Sequence, residues 1–223
     1  GICVIGQSGD FTPADKKLYA LRDVTATVKS IPLITSSIMS KKLAAGAHNI
    51  VLDVTVGSGA FISDPAEAKI LAEKMVSIGK AAGRNIAAVM TNMNAPLGKN
   101  VGNSLEVIEA VEILRGKGPA DLREVCVALA GEMVALFSGK GADECHTLCE
   151  KALDDGSAYA KFLDMVRAQG GDVSYIENTD KFPKAAYSAE VRAEEDGFIT
   201  KMQTAEIGTA SVILGAGREK KGD

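Results

Sequence analysis

Two short stretches carry side chains whose types and spacing could recognise a polar ring. In LYALRD, Tyr19 and Arg22 lie three residues apart, so a helix would place them on one face. In ITSSIMSKK, Ile34, Ser37 and Lys41 share a helix face for the same reason. If the two helices form an antiparallel pair, these side chains line one cleft that suits a flat ring with carbonyl oxygens. Pattern alone still favours a simpler interpretation, two solvated cations on a helix surface.

A glycine-rich turn, VGSGAF at 56–61, follows a predicted strand. Such turns can cradle a phosphate, but this one has only two glycines and no lysine in the P-loop position. A tight turn at the end of a strand is therefore the favoured interpretation. Phe61 could point into a cleft at the carboxyl ends of the strands, where α/β proteins commonly bind ligands.

A second loop, PLGKNVGNSLE at 96–106, could hold a hard cation. Its backbone carbonyls lie close in sequence to Glu106 and Glu109, and carbonyl and carboxylate oxygens are the ligands that such cations take. The same residues also fit the capped start of a helix, which is the simpler interpretation.

The cysteines do not have the spacing of a disulfide framework, and a chain of this length needs none. We expect four reduced thiols, which favours a cytoplasmic protein; they are Cys3, Cys126, Cys145 and Cys149. Cys145 and Cys149 share a helix face beside His146, but no second ligand pair completes a zinc site. We expect half-buried helix thiols there. His48 and His146 lack an orienting partner, so neither is expected to be catalytic.

Composition narrows the class of protein. The chain has 223 residues, 46% of them hydrophobic and 24% charged, which is ordinary for a globular protein of one to one and a half domains. The net charge of −4 argues against nucleic acid as the main partner. No apolar run reaches the length of a membrane span, and the first residues lack a signal-peptide pattern.

Periodicity and turn residues predict an α/β protein whose sheet strands are joined by crossover helices. Predicted strands span 2–5, 48–61 (with the glycine turn) and 84–93. Predicted helices span 13–27, 31–46, 65–82, 104–114, 120–137, 142–154 and 157–168. Thr12, Ser30 and Asp64 precede three of the helices as N-cap candidates.

The order of elements also predicts a division into domains. Residues 1–12 and 47–182 would form the α/β domain, and 13–46 would form part of a helical subdomain. Residues 183–223 would begin a small α+β C-terminal domain, because alternating residues flank an Asp196–Gly197 turn in the pattern of a β-hairpin.

The same stretches carry a resemblance to a known family. YALRD, SSIMSKK, DVTVGSGAF and PLGKNVGNSLEV resemble the thymidine phosphorylase and pyrimidine-nucleoside phosphorylase family, over residues 1 to about 218. The chain looks closer to the bacterial pyrimidine-nucleoside type. The family's chemistry is phosphorolysis of uridine, thymidine or deoxyuridine to the free base and a pentose 1-phosphate. The resemblance thus implies a pentosyltransferase of nucleoside salvage.

The resemblance implies roles for particular residues. Arg22 and Lys41 would be catalytic, since two fixed cations stabilise negative charge on the leaving base. Together with Ser37 they would bind the pyrimidine. The remaining base contacts would be Tyr19, Val28, Ile34 and Phe61. A potassium ion would be held by Leu97, Asn100 and Glu109. No organic cofactor is implied, and phosphate is the co-substrate.

Two positions depart from the family pattern, since Thr55 stands where a lysine is usual and Asn92 where aspartate is common. The family's phosphate site, a Lys-His-Ser run and further residues, precedes the matched region. We therefore expect a fragment that carries the base side of the site, binds no phosphate with its own residues and is inactive alone. Family members form homodimers, which for this fragment stays open.

Two alternatives stay open from the residues. One is a phosphoribosyltransferase of related architecture, which would need a diphosphate-binding glycine motif. The other is a non-catalytic relative that retains the base pocket. An intact phosphate-binding run in the preceding sequence would favour the phosphorylase over both.

Overall fold

The computed structural model describes residues 2–4 and 11–216. In this part the strands are β1, Asn49–Val56, and β2, Asn85–Asn92. The helices are α1, Pro13–Val24; α2, Ile31–Ala44; α3, Pro65–Ala81; α4, Asn103–Leu114; α5, Ala120–Ser138; α6, Ala142–Asp154; α7, Ser157–Ala168; α8, Ser174–Glu177; and α9, Thr204–Ser211. A 3-10 turn at Thr179–Lys181 follows α8, and a π-type turn at Val212–Ala216 follows α9.

The predicted α/β class is confirmed by a strand–helix–strand unit. β1 and β2 pair in parallel, in register from Asn49 opposite Asn85 to Val56 opposite Asn92. The connection runs through α3, because parallel strands need a crossover. α3 turns one apolar stripe inward, and its buried members are Ala68, Leu71, Ala72, Met75 and Gly79. Gly79 lies so close to the Ile86 side chain that a Cβ atom there would come within 2.7 Å of it.

The core cluster extends from the sheet to α2. Met39 is 1% exposed and packs with alternate residues of β1, among them Ile50, Leu52 and Val54. α5 also packs against both strands. Burial of this apolar surface stabilises the fold by roughly 25 cal/mol per Å² removed from water. It also anchors α2, the helix that carries three of the predicted site residues, on the α/β core.

The predicted N-cap hydrogen bond forms at the start of α3 but not at the starts of α1 and α2. The Asp64 carboxylate accepts a hydrogen bond from the Ala66 backbone N–H at 3.0 Å. Thr12 has a left-handed backbone and Ser30 an extended one, and neither side chain caps its helix. α1 also ends at Val24 rather than at residue 27, because Ala26 takes a left-handed conformation with φ of 54°. Three β-branched residues, Thr25, Thr27 and Val28, therefore lie in the turn to α2.

Two strand predictions are wrong. Residues 2–4 are exposed and form no strand, and Ile5 of that predicted strand lies outside the described residues. Residues 183–200 are exposed throughout and no part of 183–203 is a strand, so the hairpin around Asp196–Gly197 is absent there. An alternating run that packs against nothing gains no burial, and an isolated hairpin is marginal in water. None of the helices in the described ranges has the length and apolar character required to span a bilayer.

Candidate active site

Arg22 is a buried guanidinium held at the turn between α1 and α2. Its side chain is 7% exposed. Its Nη2 donates to the Val28 carbonyl at 2.5 Å, and its Nη1 donates to the Leu33 carbonyl at 3.5 Å. The interpretation of Arg22 as a solvated surface cation is therefore wrong. The two carbonyls fix the plane of the guanidinium, which presents its donors in a rigid fork.

Lys41 lies across from Arg22 on α2 and is also partnered. Its Nζ donates to the Ser37 hydroxyl at 3.0 Å, one helical turn earlier. The same Nζ lies 2.7 Å from Oδ2 of Asp15, which is on α1 and 8% exposed. The structure thus brings together Ser37 and Lys41, as the helix spacing predicts, and adds a carboxylate that sequence reasoning did not place in the site.

The Tyr19 ring lies beside both cations. Its centroid is 5.5 Å from the Arg22 guanidinium carbon and 5.6 Å from Lys41 Nζ. Cations within about 6 Å of an aromatic face are attracted by the ring quadrupole. Because Tyr19 is 44% exposed, the ring forms the solvent side of the cluster, hereafter the cation cluster: Asp15, Tyr19, Arg22, Ser37 and Lys41.

The carboxyl of Asp15 is ionised within this cluster. Burial acts to raise its pKa, but the neighbouring Lys41 and Ser37 side chains and the positive charges of Lys41 and Arg22 outweigh that effect. The pKa of Asp15 therefore lies below its ordinary value of 3.8. The ion pair with Lys41 is accordingly intact at neutral pH.

The cluster contains a buried hydrogen-bond donor that lacks an acceptor among the described residues. Arg22 Nε is buried, and among the residues that the structure describes it has no hydrogen-bond partner. A buried donor without an acceptor is unfavourable by about 1–3 kcal/mol, so this donor favours a nearby acceptor. Carbonyl oxygens of a planar ring are acceptors of this kind. Arg22 and Lys41 would stabilise negative charge as it develops on such a ring.

The other predicted base contacts lie at different levels of burial. Val28 contacts Arg22 through its carbonyl, and its side chain is half-buried. Ile34 is half-buried and packs against the core cluster of β1 and α3. Phe61 is 77% exposed at the end of the glycine turn. Their contact with a base stays a prediction.

The glycine turn is a tight turn, as the sequence favours. Its successive N–H groups already have acceptors: Gly57 donates to Ile62 O at 3.2 Å, Ser58 to Asn94 Oδ1 at 3.0 Å and Gly59 to Met93 O at 3.0 Å. Gly57 has φ of 141°, and a Cβ atom there would lie 2.5 Å from the Asn94 backbone nitrogen. With its donors in use, the turn offers no cradle for a phosphate.

The predicted cation ligands meet around a buried carboxylate. Glu109 is 4% exposed, and its oxygens accept from the Lys99 N–H at 3.0 Å and the Asn100 side-chain amide at 3.2 Å. Gly98 allows this approach, since a Cβ atom there would lie 2.3 Å from Glu109 Oε2. Leu97, Asn100 and Glu109 border one cavity of about 430 Å³. In the described ranges no lysine, arginine or histidine pairs with Glu109.

The remaining chemistry-bearing residues lie away from the cation cluster. Cys145 and Cys149 are both helix thiols on α6 as predicted, but only Cys149 is half-buried, whereas Cys145 is fully buried. Burial, followed by the charge of Cys145, raises the pKa of the Cys149 thiol. The ring of His146 packs on Gly131 of α5, and His48 lies 3.3 Å from Arg84 through Nδ1.

The α/β fold agrees with the family that the sequence matches. Residues 1–159 match the family described as "Glycosyl transferase family, a/b domain". That match covers most of the chain, so the chain belongs to the glycosyl transferase family through its a/b domain.

Individual relatives give a finer likeness. The chain is 52% identical over 221 residues to the pyrimidine-nucleoside phosphorylase of Geobacillus stearothermophilus, a match that covers 99% of the chain and 51% of that protein. It is 51% identical over 223 residues to the pyrimidine-nucleoside phosphorylase of Staphylococcus haemolyticus, covering all of the chain and 52% of that protein. The chain thus spans about half the length of the curated relatives it matches.

Proposed function

We propose that the complete protein containing this chain is a pyrimidine-nucleoside phosphorylase. The observation that carries the proposal is the cation cluster, in which Arg22 and Lys41 flank the Tyr19 ring and a buried Arg22 Nε has no partner in the described part of the chain. The likeness to curated relatives of that name supports the same reaction. The substrates would be a pyrimidine nucleoside and inorganic phosphate, and no organic cofactor takes part.

The chemistry follows from the charges. A phosphate oxygen forms a bond to the anomeric carbon of the sugar while the bond from that carbon to the pyrimidine nitrogen breaks. The electron pair of the broken bond moves to the pyrimidine and spreads over its ring carbonyls. Arg22 and Lys41 would stabilise this charge as it forms, Ser37 would bind a polar ring atom, and Tyr19 would contact the ring face. Val28, Ile34 and Phe61 would surround the base.

We also propose that a potassium ion binds at Leu97, Asn100 and Glu109. A buried carboxylate with no cationic side chain beside it in the described ranges favours a bound cation, and the adjoining cavity of about 430 Å³ supplies the room. Oxygen ligands of this kind suit a hard cation. The ion would balance the charge of Glu109 and hold the 96–102 loop.

The potassium proposal predicts an ion-specific gain in stability. The melting temperature of the complete protein should rise with potassium chloride relative to equal tetramethylammonium chloride, because a ligand bound to the native state stabilises it. Glu109→Gln should abolish the difference. An equal response of the wild type and the variant would refute the site.

We further propose the domain division predicted from the sequence, with residues 1–12 and 47–182 in the α/β domain, 13–46 in the helical subdomain and 183–223 in a C-terminal domain. The complete protein would be a cytoplasmic homodimer that pairs through its helical subdomain. Exposed apolar side chains on α1, Leu18 at 53%, Leu21 at 56% and Val24 at 80%, support a covered face there.

The test of the function is a phosphorolysis assay on the complete protein. Uridine and thymidine are each incubated with the protein, with and without inorganic phosphate, and free base and pentose 1-phosphate are quantified by chromatography. We expect base release that requires phosphate and yields equal amounts of the two products. Release of base without phosphate, or no release from either nucleoside, would refute the proposal.

A further inference from the structure

Asp15 belongs to the same face of α1 as the two base-site residues of that helix. Residues 15, 19 and 22 follow the i, i+4, i+7 spacing of one helix stripe. Asp15 is 8% exposed although it stands in the first turn of α1, where residues 13, 14, 16 and 17 are exposed. An aspartate at this place is ordinarily explained by the helix dipole, which needs no burial. Its burial against α2 calls for a different explanation.

The contacts of Asp15 supply that explanation. Its Oδ2 lies 2.7 Å from Lys41 Nζ, and the same Nζ lies 3.0 Å from Ser37 Oγ. A lysine ammonium is a point charge on a flexible four-carbon stem, so its position is set by its partners. Asp15 fixes it from α1 and Ser37 fixes it from α2. Together they hold the ammonium 5.6 Å from the centre of the Tyr19 ring.

The charges of the cation cluster also support a role for Asp15 beside Lys41. Arg22 and Lys41 both lie within 6 Å of the Tyr19 ring centre, and two cations close together in a partly desolvated site repel each other. The carboxylate of Asp15 reduces their summed charge from about +2 to about +1. One negative charge on a leaving pyrimidine would then be matched by one net positive charge.

We propose that Asp15 is a positioning residue of the base site, whose carboxylate holds the Lys41 ammonium where charge develops on the leaving pyrimidine. The proposal rests on the proposed phosphorolysis. Asp15 does not touch the base; it acts through Lys41. Its removal should therefore affect turnover more than nucleoside binding, because the oriented charge matters most in the transition state.

The test compares Asp15→Asn and Asp15→Glu in the complete protein. Asn keeps the shape and loses the charge, whereas Glu keeps the charge on a longer arm. We expect Asp15→Asn to lower kcat by about 10- to 100-fold, the scale found for partners that orient an active group, with KM for the nucleoside changed less than about threefold. Asp15→Glu should recover part of the loss. The matched control is Asp154→Asn, which removes a carboxylate paired with Arg123 at 2.8 Å outside the cluster and should leave kcat unchanged.

A second readout reports on Lys41 without turnover. Limited acetylation followed by mass spectrometry gives the reactivity of Lys41 relative to its exposed neighbour Lys42. Asp15→Asn should raise that ratio severalfold, because the paired ammonium is released. If the wild type is active and Asp15→Asn has an unchanged kcat, the proposed role of Asp15 is overturned while the proposed function stands. Equal losses of kcat in the Asn and Glu variants would have the same consequence. An inactive wild type would overturn the proposed function and with it the role of Asp15 in turnover, while a raised acetylation ratio would still identify the ion pair.

Discussion

Arg22 illustrates how a cation can be buried with backbone carbonyls as its hydrogen-bond partners. The Val28 carbonyl in the α1–α2 turn accepts from Nη2, the Leu33 carbonyl in α2 accepts from Nη1, and the Tyr19 ring lies beside the guanidinium. Carbonyls carry only partial charge, so the guanidinium keeps most of its capacity to attract an anion. The backbone partners therefore suit Arg22 to a role in charge stabilisation.

The first prediction concerns Lys41 and Arg22 in the complete protein. Lys41→Ala and Arg22→Ala should each lower kcat/KM for uridine or thymidine phosphorolysis by about 100-fold or more, the scale for removing one preorganised donor from a developing negative charge. Lys42→Ala is the matched control, since Lys42 is the exposed neighbour of Lys41 on α2. Steady-state kinetics measure all three. Near-normal kinetics for both site variants would contradict the assignment.

The second prediction concerns the pH dependence of stability. The pKa of Asp15 is lowered in the native protein, so its ion pair contributes stability above the unfolded value of 3.8. That contribution is lost as pH falls through the native pKa, which lies below 3.8. The difference in unfolding free energy between the wild type and Asp15→Asn should be constant from pH 7 to about pH 5 and should shrink under more acidic conditions. Urea unfolding at each pH measures it, and a difference that grows on acidification would disprove the pairing.

At the scale of elements, α5 and α6 meet through a close approach that glycine permits. A Cβ atom on Gly131 would lie 1.9 Å from Cδ2 of the His146 ring. The two helices pack extensively, so the ring has to fit between them. A small residue on one helix opposite a large one on its neighbour is how helices approach closely.

The third prediction follows from this contact. Gly131→Ala should destabilise the protein by about 1–3 kcal/mol through overpacking, despite the better helix propensity of alanine. Gly208→Ala, on α9 with open space around its Cα, is the control and should be neutral or slightly stabilising. Adding His146→Ala to Gly131→Ala should remove the clash and recover part of the loss. Thermal unfolding measures the set, and equal stability of the two single glycine variants would refute the steric account.

Turn residues and helix periodicity correctly predicted the elements whose ends are fixed by their neighbouring residues in the sequence. α6 and α7 occupy the predicted ranges, Ala142–Asp154 and Ser157–Ala168, because glycine and short turns bound their amphipathic patterns. The base-site face of α1 and α2 also followed from helix spacing. Asp15 was missed as a site residue although it shares the α1 stripe of Tyr19 and Arg22, because the pattern within one helix does not show its pairing with Lys41 on the other. The hairpin predicted around Asp196–Gly197 is absent because an alternating pattern forms a strand only when another element covers its apolar face.

At the scale of the whole molecule, the cation cluster supplies only the base side of the proposed reaction. Phosphate needs cationic or N–H donors near the anomeric carbon, and the glycine turn has its donors in use. The chain spans about half the length of the relatives named pyrimidine-nucleoside phosphorylase. That the phosphate-binding residues of the complete protein lie outside these 223 residues stays a prediction.

The last prediction is that this chain alone does not catalyse phosphorolysis, whereas the complete protein does. Without a held phosphate the nucleophile is neither oriented nor close to the sugar, and that positioning can account for about 7–11 kcal/mol of a barrier. The two proteins are assayed side by side with uridine, thymidine and phosphate at equal molar concentration, and circular dichroism verifies that the chain alone is helical. Phosphate-dependent release of thymine or uracil by the isolated chain would show that its own residues bind phosphate. The phosphate side of the active site would then also lie within this sequence.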